Sequence, residues 1–117
     1  MDASLLQRID LLTLTINLGG DKKAIRELLQ LFLHTNAESL KRLELAEQET
    51  NVITWLQLAH QIKGAANYIG AKRLAGLCSE AEHITHLPDA QSRAVLYHLH
   101  KEMAHLREAI GRHVDTL

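Results

Sequence analysis

Residues 59–70 read AHQIKGAANYIG, and this stretch decides which fold the sequence favours. Its apolar residues, together with Trp55 and Leu58 upstream, fall on one side of a helical wheel that advances about 100° per residue. That side must face a core. The closing Gly70 is typical of the left-handed residue that ends a helix. The stretch therefore predicts an amphipathic helix over residues 51–69.

The same spacing predicts four further helices, each separated from the next by glycine, proline or a potential N-capping residue. We expect the five helices over residues 4–18, 21–47, 51–69 and 71–86, and from residue 89 onward. Asp21 is the expected N-cap of the second helix, and either Thr50 or Asn51 caps the third. Because the connections are only a few residues long, neighbouring helices should be antiparallel, which predicts an all-α, up-and-down helical bundle.

The composition sets limits on the kind of protein. The 117 residues suit one domain spanning residues 1–117, and the net charge of −1 gives no basic excess for nucleic acid or for an anionic membrane surface. No apolar run approaches the roughly 18 residues of a membrane span. Cys78 is the only cysteine, so no intrachain disulfide can form, which fits a reducing cytosol. Its place in the apolar stripe of the fourth predicted helix indicates a core residue.

His60 is the candidate reactive residue, because it lies roughly 160° from the centre of the apolar side of its helix. A surface histidine without a role is the alternative, since the chain has 8 histidines. Gly64 follows one turn later on the same outward face, where a glycine costs about 1 kcal/mol relative to alanine and no helix packing explains it. We interpret Gly64 as clearance for another molecule; the alternative is a glycine that arose by drift in a tolerant bundle. Lys63 flanks His60 and is either a cation that meets an anion on the imidazole or a solvated charge.

Other residues near His60 are candidates for contact with a partner. Ile53 and Leu56 precede it on the same side and would form an apolar docking patch, unless they are scattered surface residues or are covered by the first helix. Gln57, Gln61 and Asn67 lie near or beside the exposed face and are able to form hydrogen bonds with a partner.

The chemistry that suits an exposed imidazole beside an ammonium is nucleophilic attack on phosphate. The sequence has no glycine-rich phosphate loop, no paired carboxylates for acid–base catalysis and no Ser/His/Asp or Cys/His set. We therefore interpret the chain as a phosphoryl acceptor that another protein serves, and not as an enzyme.

Residues 59–82, AHQIKGAANYIGAKRLAGLCSEAE, resemble the signature of histidine-containing phosphotransfer (HPt) domains. Such domains are found at the C-terminus of bacterial hybrid sensor histidine kinases. Residues 18–33 resemble the family's entry into its second helix. The positions that match the signature are His60, Lys63, Gly64, Gly70, Leu74, Cys78 and Glu82. The resemblance implies an antiparallel four-helix bundle with an additional N-terminal helix packed near the site.

The resemblance also implies a role for each matching residue. His60 would accept a phosphoryl group from a receiver-domain aspartate and pass it to the aspartate of a response regulator. Lys63 would contact the phosphoryl oxygens, and Gly64 would leave room for the receiver's loops. Glu82 would accept a hydrogen bond from the second imidazole nitrogen, with a solvated helix charge as the alternative. Ala81 departs from the larger aliphatic residue that is frequent in the family, so the packing beside Glu82 should differ.

Expectations for partners and cofactors follow from the same resemblance. The partners would be receiver domains of a hybrid kinase and of a response regulator. No cofactor would be held by this chain, because the receiver supplies the Mg²⁺. We expect a monomer in the cytoplasm, and the sequence fits equally a free-standing carrier and the cytoplasmic tail of an inner-membrane sensor kinase.

Two alternatives come from other classes of protein. Glu80 with His83, and Glu102 with His105, have the Glu-x-x-His spacing of di-iron carboxylate bundles, although His83 lies nearly opposite the buried stripe. The second alternative is an adaptor bundle that uses the same surface without phosphorylation. A phosphohistidine assay separates the adaptor from the carrier.

Overall fold

The computed structural model of the chain describes residues 3–113. That part of the chain is all-α, which confirms the predicted fold class, and it contains no strand. Its six helices are α1 (Ala3–Arg8), α2 (Leu11–Asn17), α3 (Lys22–Gln48), α4 (Val52–Ile69), α5 (Lys72–Glu82) and α6 (Ala90–His113).

The last four helices form the bundle. Each of α3, α4, α5 and α6 packs against two neighbours in the ring, while α1 lies on α6 and α2 lies on α4. The 27 residues of α3 extend for about 40 Å, which accounts for the 42 Å length of the molecule. The largest fully buried side chains fill the space between the helices, among them Trp55, Leu58, Ile62, Leu74, Leu99 and Leu106.

The N-terminal segment differs from its prediction, because two helices replace the single helix expected over residues 4–18. Asp10 separates the two and caps the second: its carboxylate accepts hydrogen bonds from the Thr13 N–H at 3.1 Å and from the Thr13 hydroxyl at 2.8 Å. The backbone N–H of Asp10 donates to the carbonyl of Gly70 at 2.9 Å. The joint between α1 and α2 is therefore fixed against the end of α4.

The helix ends of α3 and α4 follow the predicted chemistry. Asp21 caps α3, and Asn51 rather than Thr50 caps α4, its side chain accepting from the Thr54 N–H at 3.1 Å. Gly70 ends α4 with a φ of 76°, the left-handed conformation that glycine adopts most readily. A Cβ at Gly70 would also lie 2.6 Å from the Cβ of Asp10, so this glycine both ends a helix and admits the N-terminal segment.

Helix α5 ends at Glu82, four residues before the predicted end at His86. Two β-branched residues, Ile84 and Thr85, follow, and they favour helix less than the preceding residues do. Ile84 is buried. The indole N–H of Trp55 donates to the carbonyl of Ala81 at 2.8 Å, which holds the last turn of α5 against α4.

A buried carboxylate links three helices at another place in the bundle. Glu102 on α6 has a side chain that is 2% exposed, and its Oε1 lies 2.5 Å from the Arg8 guanidinium of α1 and 3.4 Å from Nε of Arg73 on α5. Arg8 thus links α1 to α6 through an ion pair. No helix in residues 3–113 combines the length and hydrophobicity that a membrane crossing requires.

Candidate functional site

The site centres on His60, which lies in the middle of α4 with its side chain 74% exposed. The outward direction inferred from the helical wheel is the one that the structure has. Buried residues on the opposite side of α4, including Trp55, Ala59 and Ile62, hold this helix in the bundle. The imidazole is thus presented to solvent from a rigid support.

Lys63 and Glu82 lie beside the imidazole, and the two form an ion pair. The Lys63 Nζ is 2.8 Å from Oε1 of Glu82, and Nδ1 of His60 is 3.6 Å from the same oxygen. The second distance exceeds that of a hydrogen bond. The pKa of the Glu82 carboxyl lies below its usual range, chiefly because the Lys63 ammonium contacts it, although burial acts in the opposite direction. Glu82 is therefore ionised at neutral pH.

The ion pair with Glu82 is a contact of Lys63 that the sequence did not predict. Its side chain is only 25% exposed, so in this state it lies along the protein surface toward α5 and does not project freely into solvent. Glu82 on α5 reaches the neighbouring helix α4, where it contacts Lys63. The Lys63 and Glu82 side chains therefore meet at the edge of the exposed surface around His60.

Gly64 lies one turn after His60 and is exposed. A Cβ built at this position would meet no atom of the protein within 4 Å, apart from its own helix and chain neighbours. The bundle therefore does not require a glycine here, and the space above it is open. Packing within the domain therefore does not explain Gly64, and clearance for another molecule stays a prediction, with drift in a tolerant bundle as the alternative.

The remaining candidates differ in exposure. Ile53 is 71% exposed, and Gln57, Gln61 and Asn67 are exposed on the same helix. Leu56 is partly buried and packs against the core, so its side chain is not freely available for a docking patch. Of the two apolar candidates, Ile53 alone projects into solvent.

An apolar groove between α3 and α4 was not predicted from the sequence. Its volume is about 210 Å³, and its exposed apolar side chains are Leu31, which is 60% exposed, and Tyr68, which is 48% exposed. Tyr68 lies eight residues after His60, or about 12 Å along the helix axis. Both residues fall outside the buried stripes of their helices, and a large apolar side chain at an outward position is the signal that would have found them.

The structure also bears on the alternatives. Among the described residues, no three His, Cys, Asp or Glu side chains lie close enough together to hold a metal ion. Glu102 is instead engaged by two arginines, and His83 is exposed. Cys78 is fully buried, and burial raises the pKa of its thiol to about 12, so it is not a nucleophile.

These features define a class of protein. A helical bundle presents the exposed imidazole of His60 next to an ion-paired ammonium, with open space above the neighbouring Gly64. The model of the Hpt domain family matches residues 27–110, and the chain belongs to this family. Its role is accordingly that of histidine phosphotransfer in two-component signalling.

Two solved structures have similar folds. Histidine-containing phosphotransfer protein B (HptB) from Pseudomonas aeruginosa PAO1 matches with a TM-score of 0.83 and 23% identity over 94% of this chain and 96% of its own. The HPT domain of a sensor hybrid histidine kinase from Shewanella matches with a TM-score of 0.72 and 18% identity over 99% of this chain and 98% of its own. At these identities the likeness concerns the fold. No protein with a curated description matches significantly.

Proposed function

We propose that His60 carries the phosphoryl group, which it accepts from an aspartyl phosphate on one receiver domain and passes to the aspartate of another. The observation that supports this most is the 74% exposure of the His60 side chain, at the position where the resemblance to the family places the phosphorylated histidine. In the accepting step, the Nε2 lone pair forms the N–P bond as the acyl phosphate P–O bond breaks, and the aspartate leaves as a carboxylate. The onward step is the reverse reaction on a second receiver.

The chain's contribution to this transfer is positioning and charge. Phosphoryl transfer passes through a loose transition state that needs alignment and charge neutralisation more than acid–base groups. The rigid α4 holds the imidazole, and Lys63 supplies a cation close to it. The receiver supplies the Mg²⁺, the carboxylate and its own lysine, so no cofactor is assigned to this chain and no turnover of its own is expected.

Receiver docking would use the surface around His60. Gly64 gives clearance, Ile53 gives an apolar contact, and Gln57, Gln61 and Asn67 give hydrogen-bonding groups. The groove between Leu31 and Tyr68 extends this surface toward α3. One exposed carrier histidine needs no dimer, so we propose a monomer that meets its receivers in the cytoplasm.

The experiment is phosphoryl transfer from a receiver charged with acetyl phosphate. Wild-type protein should acquire acid-labile, base-stable phosphate, whereas His60→Gln should acquire none and keep its helical circular dichroism. His98→Gln is the matched control, because His98 is also exposed but lies on α6. Labelling of His60→Gln, or loss of labelling in His98→Gln alone, would contradict the proposal. Unlabelled wild type that still binds the receiver would identify an adaptor.

A further inference from the structure

A single carboxylate oxygen lies close to two other groups of the site. Oε1 of Glu82 lies 2.8 Å from the Lys63 ammonium and 3.6 Å from Nδ1 of His60. The Glu82 side chain is 24% exposed, so bulk water and salt screen this contact less than they screen a fully exposed pair. In the unphosphorylated protein, the Lys63 cation beside the imidazole is therefore already neutralised by Glu82.

Phosphorylation of His60 would set two anions in competition for that cation. A phosphoryl group at neutral pH carries between one and two negative charges and several strong acceptor oxygens. Lys63 would have to leave Glu82 to contact those oxygens. The Glu82 carboxylate, which lies near Nδ1, would also repel the negative phosphoryl group on Nε2 across the imidazole ring. Both effects raise the free energy of the phosphorylated state relative to the unphosphorylated state.

We propose that Glu82 is a positioning residue that holds Lys63 in the unphosphorylated protein and lowers the stability of the phosphohistidine, which favours passing the group onward. This inference rests on the proposed function of His60. In the onward step, the Nε2–P bond breaks as a receiver aspartate oxygen forms the new P–O bond. The electron pair of the broken bond returns to Nε2, the Nδ1 proton stays in place facing Oε1, and Lys63 returns to Glu82.

A role for Glu82 as a simple hydrogen-bond acceptor predicts something different. A glutamine would keep an acceptor oxygen at the same place, so Glu82→Gln would leave such a role largely intact. The proposal depends on the negative charge instead, and Glu82→Gln removes that charge while preserving size and shape. The two interpretations are therefore separable by one substitution.

The test measures the lifetime of the phosphohistidine and its equilibrium with a phosphorylated receiver in wild type, Glu82→Gln and Lys63→Ala. We expect Glu82→Gln to shift the equilibrium toward the phosphohistidine by about tenfold, which corresponds to about 1.4 kcal/mol. Lys63→Ala should shift it the other way. In the Lys63→Ala background, the effect of Glu82→Gln should become smaller, because only the direct repulsion remains.

Glu80→Gln is the matched control, since it removes the same charge from the same helix at an exposed position. It should change the equilibrium less than twofold. An unchanged or shortened lifetime in Glu82→Gln, or an effect equal to that of Glu80→Gln, would overturn the inference. Lack of any labelling in the wild type would instead count against the carrier role of His60. Circular dichroism melts identify a misfolded variant, and the opposite shift in Lys63→Ala then tests the competition independently.

Discussion

Gly64 provides a prediction in which stability and function move in opposite directions. Because a Cβ at this position meets nothing within 4 Å, replacement by alanine should be free of steric cost within the domain. Alanine is favoured over glycine in a helix interior by about 1 kcal/mol. We therefore expect Gly64→Ala to raise the free energy of unfolding by about 1 kcal/mol and Tm by about 4 °C.

Transfer should respond in the opposite sense. A side chain at residue 64 would occupy the space that a docked receiver needs, one turn from the reacting imidazole. A misplacement of about 1 Å in a reacting pair costs about 100-fold in rate. We expect a modest slowing in Gly64→Ala and about a 100-fold slowing in Gly64→Gln. The assay is the rate of phosphoryl transfer from a charged receiver, followed on gels that separate the phosphorylated forms.

Gly76 supplies the control for this prediction. It is also an exposed helical glycine at which an added Cβ would meet nothing within 4 Å, but it lies on α5. Gly76→Ala should stabilise the domain by the same amount, and Gly76→Gln should leave transfer unchanged. Undiminished transfer in Gly64→Gln, or equal slowing in both glutamine variants, would refute the clearance argument.

Three further predictions concern the fold. Gly70→Ala should cost at least 2 kcal/mol, roughly the penalty of a left-handed residue plus the clash with Asp10, and an unchanged urea midpoint would contradict it. Arg8→Ala should cost about 3 kcal/mol, because it leaves the Glu102 carboxylate, which is 2% exposed, without its nearest cation; a melt that matches wild type would argue against this link. Cys78 should resist thiol reagents at pH 8 until the protein unfolds, because burial raises its pKa from 9.0 to about 12. Rapid labelling of the folded protein would contradict the burial. The free energy of unfolding should also fall as pH rises above about 9, because the unfolded chain loses the thiol proton before the folded protein does.

The parts of the fold that could be predicted from sequence are those that depend on local patterns. The limits of α4 follow from its apolar spacing and from Gly70, and the outward direction of His60 follows from the same count. The break at Asp10 also has a local signal, because aspartate is a preferred N-cap and is able to begin a helix at this position. The apolar stripe that continues across Asp10, however, favours one helix. The choice between one helix and two depends on the contact of Asp10 with the end of α4, and the local sequence does not show that contact.

The ion pair at the site and the buried Glu102 could not be predicted, because they depend on the packing of separate helices. A helical wheel places Glu82 on the flank of its helix but does not fix its distance from Lys63. Arg8 and Glu102 are 94 residues apart in sequence, and neither position alone indicates the other. The groove beside Leu31 similarly exists only where α3 and α4 meet.

The most direct test of the central claim is to locate the phosphate on the wild-type protein after transfer from a charged receiver. Fragmentation mass spectrometry that preserves the N–P bond should find one phosphoryl group per chain, attached to His60, and phosphorus NMR should assign it to Nε2. The other histidines should remain unmodified. Phosphate on any other residue, or a wild-type protein that stays unlabelled with receivers that charge a known HPt domain, would contradict the account.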